Sequence, residues 1–257
     1  MRFIREPGVY LVARPSLCRE ELERFLADHG AAGWETDAPT DAEKLCEAAG
    51  RICYMSFGKG RKTNREYLNH ILEVGHGSVL EHAVWSFVIT GVSRSFTHEL
   101  VRHRAGFSYS QLSQRYVDES ETDFVEPACI AEDPDLHAAF AGCCRGAKEA
   151  YAGLSAKLAG RFGDVPDKTL RRKLARQAAR AILPNATETR IFVSANARAW
   201  RNFIELRASE HAETEIRKVA LEILRILQRE APNIFGDYVL RPLPDGTFTA
   251  RTAHRKV

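Results

Sequence analysis

The sequence lacks any long run of apolar residues, which argues against a membrane-spanning helix. The opening stretch, MRFIREPGVYLVARPSL, has no apolar core of the kind that a signal peptide requires, so we expect none. The six cysteines are scattered and form no C-x-x-C pair, which disfavours both a disulfide framework and a zinc site. We therefore expect a cytoplasmic protein with reduced thiols, no metal and no membrane anchor.

An excess of charge of one sign is also missing. The 37 basic residues nearly balance the 34 acidic ones, and the net charge is +3. Any anion must therefore bind at a local group of basic side chains and not through an overall field. Glycine-rich nucleotide motifs are absent as well, because no G-x-G-x-x-G follows a strand and SFGKGRKT at 56–63 lacks the P-loop spacing. A Rossmann or P-loop site is unsupported.

Apolar periodicity predicts a chain in which helices dominate. Helices are predicted over 41–57, 64–78, 93–103, 135–162, 165–184, 197–208 and 209–230, and strands over 8–14, 83–92 and 189–196. Since the strands do not alternate strictly with helices, we expect an α+β fold. The expectation is a single domain over residues 1–257, with a twisted β-sheet packed against several long helices. The basic tail, from about residue 250 onward, is expected to be flexible.

The stretch THELVRHRAGFSYSQLSQRY, at residues 97–116, is dense in chemically active side chains. A zinc-protease helix would place two histidines at i and i+4 on one face. Here His98 and His103 are five positions apart, which puts them roughly 140° away from each other around a helix. We therefore reject this stretch as a metal site.

Two other interpretations of the stretch remain open. Its arginines and aromatic rings are typical of a nucleic-acid patch, but the cluster is compact and no basic stripe continues outside helix 165–182. Alternatively, guanidinium forks, serine hydroxyls and the amide of Gln111 could line a pocket for a phosphorylated small molecule. We favour the pocket and keep nucleic-acid binding as the alternative. The residues involved are Arg102, Arg104, Phe107, Ser108, Tyr109, Ser110, Gln111, Ser113, Arg115 and Tyr116.

Three blocks of the sequence resemble the flavin-dependent thymidylate synthases. Arg102-His103-Arg104, followed by Ser113 and Arg115, is similar to the family signature, with a spacer of eight residues before the serine, one more than the commonest form. GHGSVLEH at 75–82 resembles the family's Gly-His…Glu-His segment, and 183–216 resembles its C-terminal half. Three separated blocks in the right order make coincidence a poor explanation.

The resemblance implies an activity and a set of partners. It implies a methyltransferase that converts dUMP to dTMP in nucleotide biosynthesis. The carbon would come from methylenetetrahydrofolate and the reducing equivalents from NADPH through bound FAD. It also implies a cytoplasmic homotetramer with active sites at subunit interfaces, which binds neither nucleic acid nor membranes.

The same resemblance assigns site residues position by position. It places the flavin beside Ser78 of a neighbouring subunit and beside Arg102, His103, Arg104, Gln111, Asn196, Ala197, Arg198 and Asn202. It places the nucleotide beside Glu99, Leu100, Val101, Arg102, Gln111, Leu112, Ser113, Gln114, Arg115, Arg180 and Arg207. The neighbouring basic residues Arg172 and Arg176 are expected on a solvated helix face.

Arg207 is the residue that the resemblance makes catalytic. Methylating uracil requires electron density at its 5-carbon, and other thymidylate synthases obtain it by adding a cysteine thiolate to the neighbouring carbon; no cysteine here is assigned that role. A guanidinium in a water-poor pocket would instead favour ionisation of the ring N–H and stabilise the developing charge. Ser113 is expected to bind the nucleotide, since no histidine is placed as its base. His211, at i+4 from Arg207, is expected to help place the flavin or the folate.

Overall fold

The computed structural model describes residues 1–257 and confirms the predicted mixture of helix and sheet. None of its helices is both long and apolar enough to cross a membrane. The α-helices are α1 (Arg19–Asp28), α2 (Asp41–Ile52), α3 (Asn64–Glu73), α4 (Arg94–Leu100), α5 (Ala128–Ala131), α6 (Pro134–Arg161), α7 (Lys168–Ala179), α8 (Ala197–Arg207), α9 (Thr214–Glu230) and α10 (Pro232–Phe235). Two 3₁₀ helices span Gly77–His82 and Arg180–Ile182.

Eight strands form one larger sheet and two small ones. The strands are β1 (Phe3–Ile4), β2 (Gly8–Ala13), β3 (Val84–Ser93), β4 (Phe107–Gln111), β5 (Phe124–Val125), β6 (Glu188–Asn196), β7 (Val239–Pro242) and β8 (Phe248–Arg251). The four-stranded sheet has the order β2-β3-β6-β4. In addition, β1 pairs in parallel with β5, and β7 pairs with β8 as an antiparallel hairpin. Within the stretch at residues 97–116, the strand covers only residues 107–111.

Local capping decides where several helices begin. The Ser93 hydroxyl accepts a hydrogen bond from the Phe96 backbone N–H at 3.0 Å, so α4 starts directly after the serine. Asp167 caps α7 in the same way, through the Thr169 N–H at 2.8 Å. The helix predicted from residue 165 therefore begins later, at Lys168, and Pro166 precedes it.

The predicted helix at 209–230 begins later than expected, at Thr214. The reason is Arg217, which is only 4% exposed and needs acceptors for its buried charge. Its Nη1 donates to the carbonyl oxygens of Glu210 and Ala212, at 3.1 and 3.3 Å. These bonds hold the preceding residues in a turn, which separates α9 from α8. Helix α1 had not been predicted at all.

The chain divides into two compact units built from interleaved segments. The first comprises Met1–Gly8, Ile89–Arg102 and Ser110–Phe192. Within it, the fully buried Tyr151 of α6 uses its hydroxyl to accept a hydrogen bond from the backbone of Glu119 at 3.3 Å. This contact ties the long helix to the segment that follows the Ser-x-Arg part of the signature.

The second unit comprises Val9–Val88, His103–Tyr109 and Val193–Val257. Its core is aromatic, and the fully buried Trp200 of α8 is at its centre. The Trp200 ring meets Phe87 edge-on, with centroids 5.2 Å apart, and meets Phe107 at 5.1 Å. Because one face of α8 is committed to this core, its opposite face, with Arg198 and Asn202, is exposed.

The tail beyond residue 250, predicted to be flexible, is held by hydrogen bonds in the structure. The buried Arg201 donates from Nη2 to the carbonyl oxygen of His254 at 3.1 Å. Further along, the Lys256 N–H donates to the Glu205 carboxylate at 2.9 Å, and Val257 is only 6% exposed. The buried guanidinium requires acceptors, and the tail supplies one of them.

Candidate functional site

Strand β4 ends at Gln111, whose side chain is fixed by two buried threonines. Its Nε2 donates to the Thr97 hydroxyl at 3.1 Å and to the Thr189 hydroxyl at 3.3 Å. Thr97 belongs to α4 and Thr189 to β6, so two elements that are distant in sequence orient the amide. Since both Nε2 hydrogens are used in these bonds, the amide offers its Oε1 as an acceptor to an N–H at the edge of a planar ring.

The chain after Gln111 is anchored through its backbone. The Leu112 N–H donates to the Arg190 carbonyl at 2.9 Å, and the Leu112 carbonyl accepts from Nη2 of Arg94 at 3.0 Å. Ser113 then begins a turn, in which its carbonyl accepts from the Val117 N–H at 2.9 Å. The Ser-x-Arg part of the signature therefore has a fixed register, even though the spacer before it is one residue longer.

Basic side chains surround a cavity of about 120 Å³, which we call the cation pocket. Its lining residues are Arg115, Tyr116, Thr169, Arg172, Lys173 and Arg176. The Nε of Arg115 is buried and has no hydrogen-bond partner, an uncommon state for a charged donor. Among the basic residues of the pocket, Arg176 forms an ion pair, with Asp118 at 2.8 Å. The pocket thus offers positive charges that form no ion pair and one N–H donor, the Arg115 Nε, that has no partner. Such a site fits an anion of the size of a phosphate group.

Sequence reasoning missed the part of α7 that contributes to this pocket. Arg172 and Arg176 were expected on a solvated face, and Lys173 was not considered. Lys173 lies 5.1 Å from the ring centroid of Tyr116, and its hydrogen bond and charge lower the pKa of that tyrosine. The signal was present in the spacing, since Thr169, Arg172, Lys173 and Arg176 share one helical face.

Arg180 does not line the cation pocket but acts electrostatically on Arg94. The pKa of Arg94 is lowered, first by burial and also by the positive charge of Arg180, while Glu119 opposes the shift from 3.9 Å. The Nε of Arg94 is also buried without a partner. Arg94 was not predicted as a site residue. The sequence did contain a hint, because Arg94 is a cation in the first turn of a helix, where the macrodipole disfavours positive charge.

Arg207 meets the middle residue of the Arg-His-Arg motif. Its Nε donates to Nε2 of His103 at 3.0 Å. His103 is 8% exposed, and its ring meets Phe203 edge-on at 5.2 Å and Phe107 at 5.9 Å. The Tyr109 hydroxyl donates to the His103 carbonyl at 2.5 Å. We call these five residues the His103 cluster.

Within the spacer, a turn at Gly106 lies against the N-terminus of α8. Gly106 has a φ of +74°, a conformation that side chains disfavour, and its carbonyl accepts from the Asn196 N–H at 3.3 Å. Asn196 in turn caps α8, because its Oδ1 accepts from the Ala199 N–H at 2.9 Å. The motif is thereby locked onto the helix that carries the other residues expected at the flavin.

The predicted flavin ligands of α8 lie where an external molecule can reach them. Arg198 pairs with Glu81 at 2.7 Å, and both side chains are about half exposed, at 44% and 46%. Ser78, Arg104 and Asn202 are exposed as well. Ala197 is buried, and its N–H donates to the Ala83 carbonyl at 2.8 Å. Exposed guanidinium, amide and hydroxyl donors fit the pyrophosphate and the polar ring edge of a flavin dinucleotide.

The remaining predicted nucleotide residues differ in their accessibility. Val101 and Arg102 are exposed, and Glu99 is half-buried. Leu100 is fully buried, so its side chain offers no surface to a ligand. Gln114 is 9% exposed, and its side chain hydrogen-bonds to Glu119. His211 is exposed and lies 3.7 Å from Glu210.

Comparison with known proteins gives one consistent result. The family model described as "Thymidylate synthase complementing protein" matches residues 36–233. A flavin-dependent thymidylate synthase of Mycolicibacterium vanbaalenii is 55% identical over 220 residues, which cover 84% of this chain and 87% of that protein. The protein of the same name in Mycobacterium sp. (strain JLS) is 56% identical over 226 residues, covering 85% and 88%. That of Mycobacterium avium is 54% identical over 220 residues, covering 84% and 87%.

Proposed function

The chain belongs to the family of flavin-dependent thymidylate synthases, and we propose that the side chains described above form its nucleotide and flavin sites. It is a methyl-transferring enzyme that makes dTMP with a flavin cofactor. We assign dUMP as the methyl acceptor, methylenetetrahydrofolate as the carbon donor, NADPH as the reductant and FAD as the flavin.

The hydrogen bond from Arg207 to His103 is the observation that best supports methylation of dUMP by this chain. Methylation at the uracil 5-carbon needs negative charge to spread over the ring, and a preorganised guanidinium stabilises such charge without further reorganisation. Because the Arg207 Nε is bound at 3.0 Å, the planar guanidinium is held in one orientation. We therefore assign Arg207 as the catalytic cation.

The thiols of the chain support a route without a cysteine nucleophile. Burial raises the pKa of Cys46 to about 12 and that of Cys144 to about 11. A thiol with such a pKa stays protonated near neutral pH and is a poor nucleophile. The other cysteines, at 18, 53, 129 and 143, are exposed and belong to none of the clusters described above.

For the nucleotide, we assign the 5′-phosphate to the cation pocket and the ring edge to Gln111. The pocket offers Arg115, Arg172 and Lys173, and the buried Arg115 Nε gains a partner when an anion binds. Arg94 and Arg180 add positive charge in the same unit. A cavity of about 120 Å³ suits one phosphate group, whereas a nucleic-acid site needs a long basic track. This favours the nucleotide over the nucleic-acid alternative.

For the flavin, we assign the exposed donors Arg104, Arg198 and Asn202 and the capping Asn196, with Ser78 contributed by a neighbouring subunit. Their role is to bind and orient the cofactor. The site does not use the G-x-G-x-x-G motif of Rossmann folds. When bound, the flavin supplies the redox chemistry, taking reducing equivalents from NADPH. The protein's own contribution is charge and orientation.

We further propose that the chain acts as a single domain within a cytoplasmic homotetramer. Strands β2 and β3 leave large apolar side chains in contact with solvent: Tyr10 is 56% exposed, Val12 49% and Val84 45%. An exposed apolar face on a sheet is typical of a surface that packs against another subunit. The molar mass in solution, measured by light scattering, tests this proposal.

The first experiment is a visible absorption spectrum after incubation with FAD and removal of free cofactor, recorded with and without dUMP. A retained flavin spectrum that dUMP perturbs is expected, followed by dTMP formation in a complete assay. Arg207→Ala should retain flavin and lose dTMP formation, whereas Arg145→Ala, on an exposed part of α6, should behave like the wild type. Full activity of Arg207→Ala would remove the catalytic assignment.

A further inference from the structure

A glutamine amide can meet a bound ring with either its oxygen or its NH2 group. The two ends are similar in size and exchange places when the amide turns by 180°, so the neighbouring groups decide which end faces the ligand. At Gln111 these neighbours are the hydroxyl groups of Thr97 and Thr189, at 3.1 and 3.3 Å. A hydroxyl group can donate as well as accept, so these two distances alone do not fix the amide.

The backbone of Arg94 supplies the missing information. The Thr97 hydroxyl donates its only hydrogen to the Arg94 carbonyl oxygen at 2.9 Å. The Thr97 oxygen can then only accept, so the end of Gln111 that faces it must be the NH2 group. The second hydrogen of that group is directed at Thr189. Oε1 is therefore the end of the amide that is left for a ligand, on a residue that is only half-buried.

The two threonines form a rigid support for this orientation. Thr97 is 4% exposed and Thr189 is fully buried, and both belong to the same compact unit as Gln111. A β-branched side chain has few rotamers, so packing holds each hydroxyl in place. Turning the amide over would set Oε1 against the Thr97 oxygen, which has no hydrogen left to offer it. The orientation is thus fixed before any ligand binds.

We propose that Thr97 and Thr189 are positioning residues that make Gln111 selective for a pyrimidine ring with an imide N–H. Uracil presents this N–H, and Oε1 accepts from it. Cytosine carries a lone pair on the same ring nitrogen, so two acceptors would face each other. The inference rests on the proposed function, in which Gln111 meets the ring of dUMP, and it adds the reason why dCMP is rejected. The threonines act only through Gln111.

The first measurement compares dUMP and dCMP on the FAD-loaded full chain by isothermal titration calorimetry. The two nucleotides share sugar and phosphate, so the ratio of their Kd values reports on the ring edge. We expect the wild type to bind dUMP at least about 10-fold more tightly. Equal affinities would overturn the proposal. Tighter binding of dCMP would also overturn it, because Oε1 would then meet the amino group of cytosine.

The second measurement separates the hydroxyl of Thr97 from its packing. Thr97→Val keeps the shape of the side chain and removes the acceptor, so the amide can turn its NH2 group toward the ring. The preference for dUMP should fall by about 10-fold. Thr97→Ser keeps the hydroxyl and should restore the preference. Thr249→Val is the matched control, because the buried Thr249 hydroxyl donates to the Ala208 carbonyl at 2.9 Å and does not contact Gln111.

Thr189→Val provides an independent variant should Thr97→Val fold poorly. It removes one acceptor of the amide, and the preference for dUMP should fall severalfold. Thermal unfolding and retained flavin absorbance are measured in each variant, and a general loss of packing would weaken both nucleotides together without changing their ratio. An unchanged ratio in a folded valine variant that still binds dUMP would overturn the positioning role and leave the proposed function standing. Absence of dUMP binding by the wild type would instead remove the nucleotide site, and this inference with it.

Discussion

Gly106 lies so close to Asn196 that a β-carbon added to the glycine would be 2.8 Å from the asparagine Nδ2 and 2.9 Å from Cβ of Ala199. The spacer of the signature thus contains a turn at which glycine is the residue that fits. The turn joins the Arg-His-Arg segment to the cap of α8, and both carry residues that we assign to the flavin.

The first prediction concerns this turn. Gly106→Ala should lower the free energy of unfolding by about 1–3 kcal/mol, because a side chain disfavours positive φ and would also push against the helix cap. Retention of FAD should fall with it. Thermal unfolding and retained flavin absorbance measure the two effects. Ala105→Gly, at the exposed neighbouring residue, is the control and should retain flavin normally. Normal flavin binding by Gly106→Ala would show that the turn does not position the site.

The second prediction concerns the cation pocket. Arg172→Ala and Lys173→Ala should each raise the KM for dUMP by about 10-fold, since each removes a charged partner of the phosphate, and leave FAD retention unchanged. The effect should shrink as salt concentration rises, because screening weakens the wild-type contact. Steady-state kinetics at two ionic strengths measures it. Arg145→Ala is again the matched control, and an unchanged KM in both pocket variants would place the phosphate elsewhere.

The third prediction concerns Glu43, a fully buried carboxyl on α2. Burial raises its pKa from 4.5 to about 7, although a hydrogen bond from the Asn233 backbone opposes the shift. Between these two values the folded chain holds a proton that the unfolded chain has released. The free energy of unfolding therefore falls as pH rises through this window, by at most about 3 kcal/mol, and the loss is complete above the folded pKa.

Glu43→Gln removes this titration while keeping an acceptor for the Asn233 N–H. The variant should be more stable than the wild type at about pH 8 and lose this advantage at about pH 5. Urea unfolding at both pH values measures the difference. Glu73→Gln, with its side chain 61% exposed, is the control and should show little change. A stability difference that does not vary with pH would contradict the assignment.

The fourth prediction concerns the buried thiols. Cys46→Ala and Cys144→Ala should each still form dTMP, apart from a modest loss of stability from the cavity that remains. An alkylating reagent near neutral pH should modify exposed Cys143 and spare its neighbour Cys144, as mass spectrometry can establish. Loss of turnover in a well-folded Cys144→Ala or Cys46→Ala variant would reopen a thiolate mechanism.

Much of the local structure was accessible from the sequence, because its causes lie within a few residues. Ser93 and Asn196 each supply a side-chain oxygen at a helix start, and the apolar spacing of α6 and α9 required only the periodicity of the chain. The signature residues and two further blocks were enough to identify the family. The start of α9 was predicted too early, because a buried arginine beyond the helix start determines the turn before it.

The arrangement of the site was decided by tertiary structure. Arg207 and His103 are 104 positions apart, and no local pattern states that the one donates to the other. Arg172 and Lys173 had the spacing of a solvated face, and only the packing around Arg115 made that face the wall of a cavity. Capping and periodicity act within one or two helical turns, so the sequence shows them directly. A hydrogen bond between distant residues, or a cavity, exists only where elements far apart in sequence pack together, so only the tertiary structure reveals it.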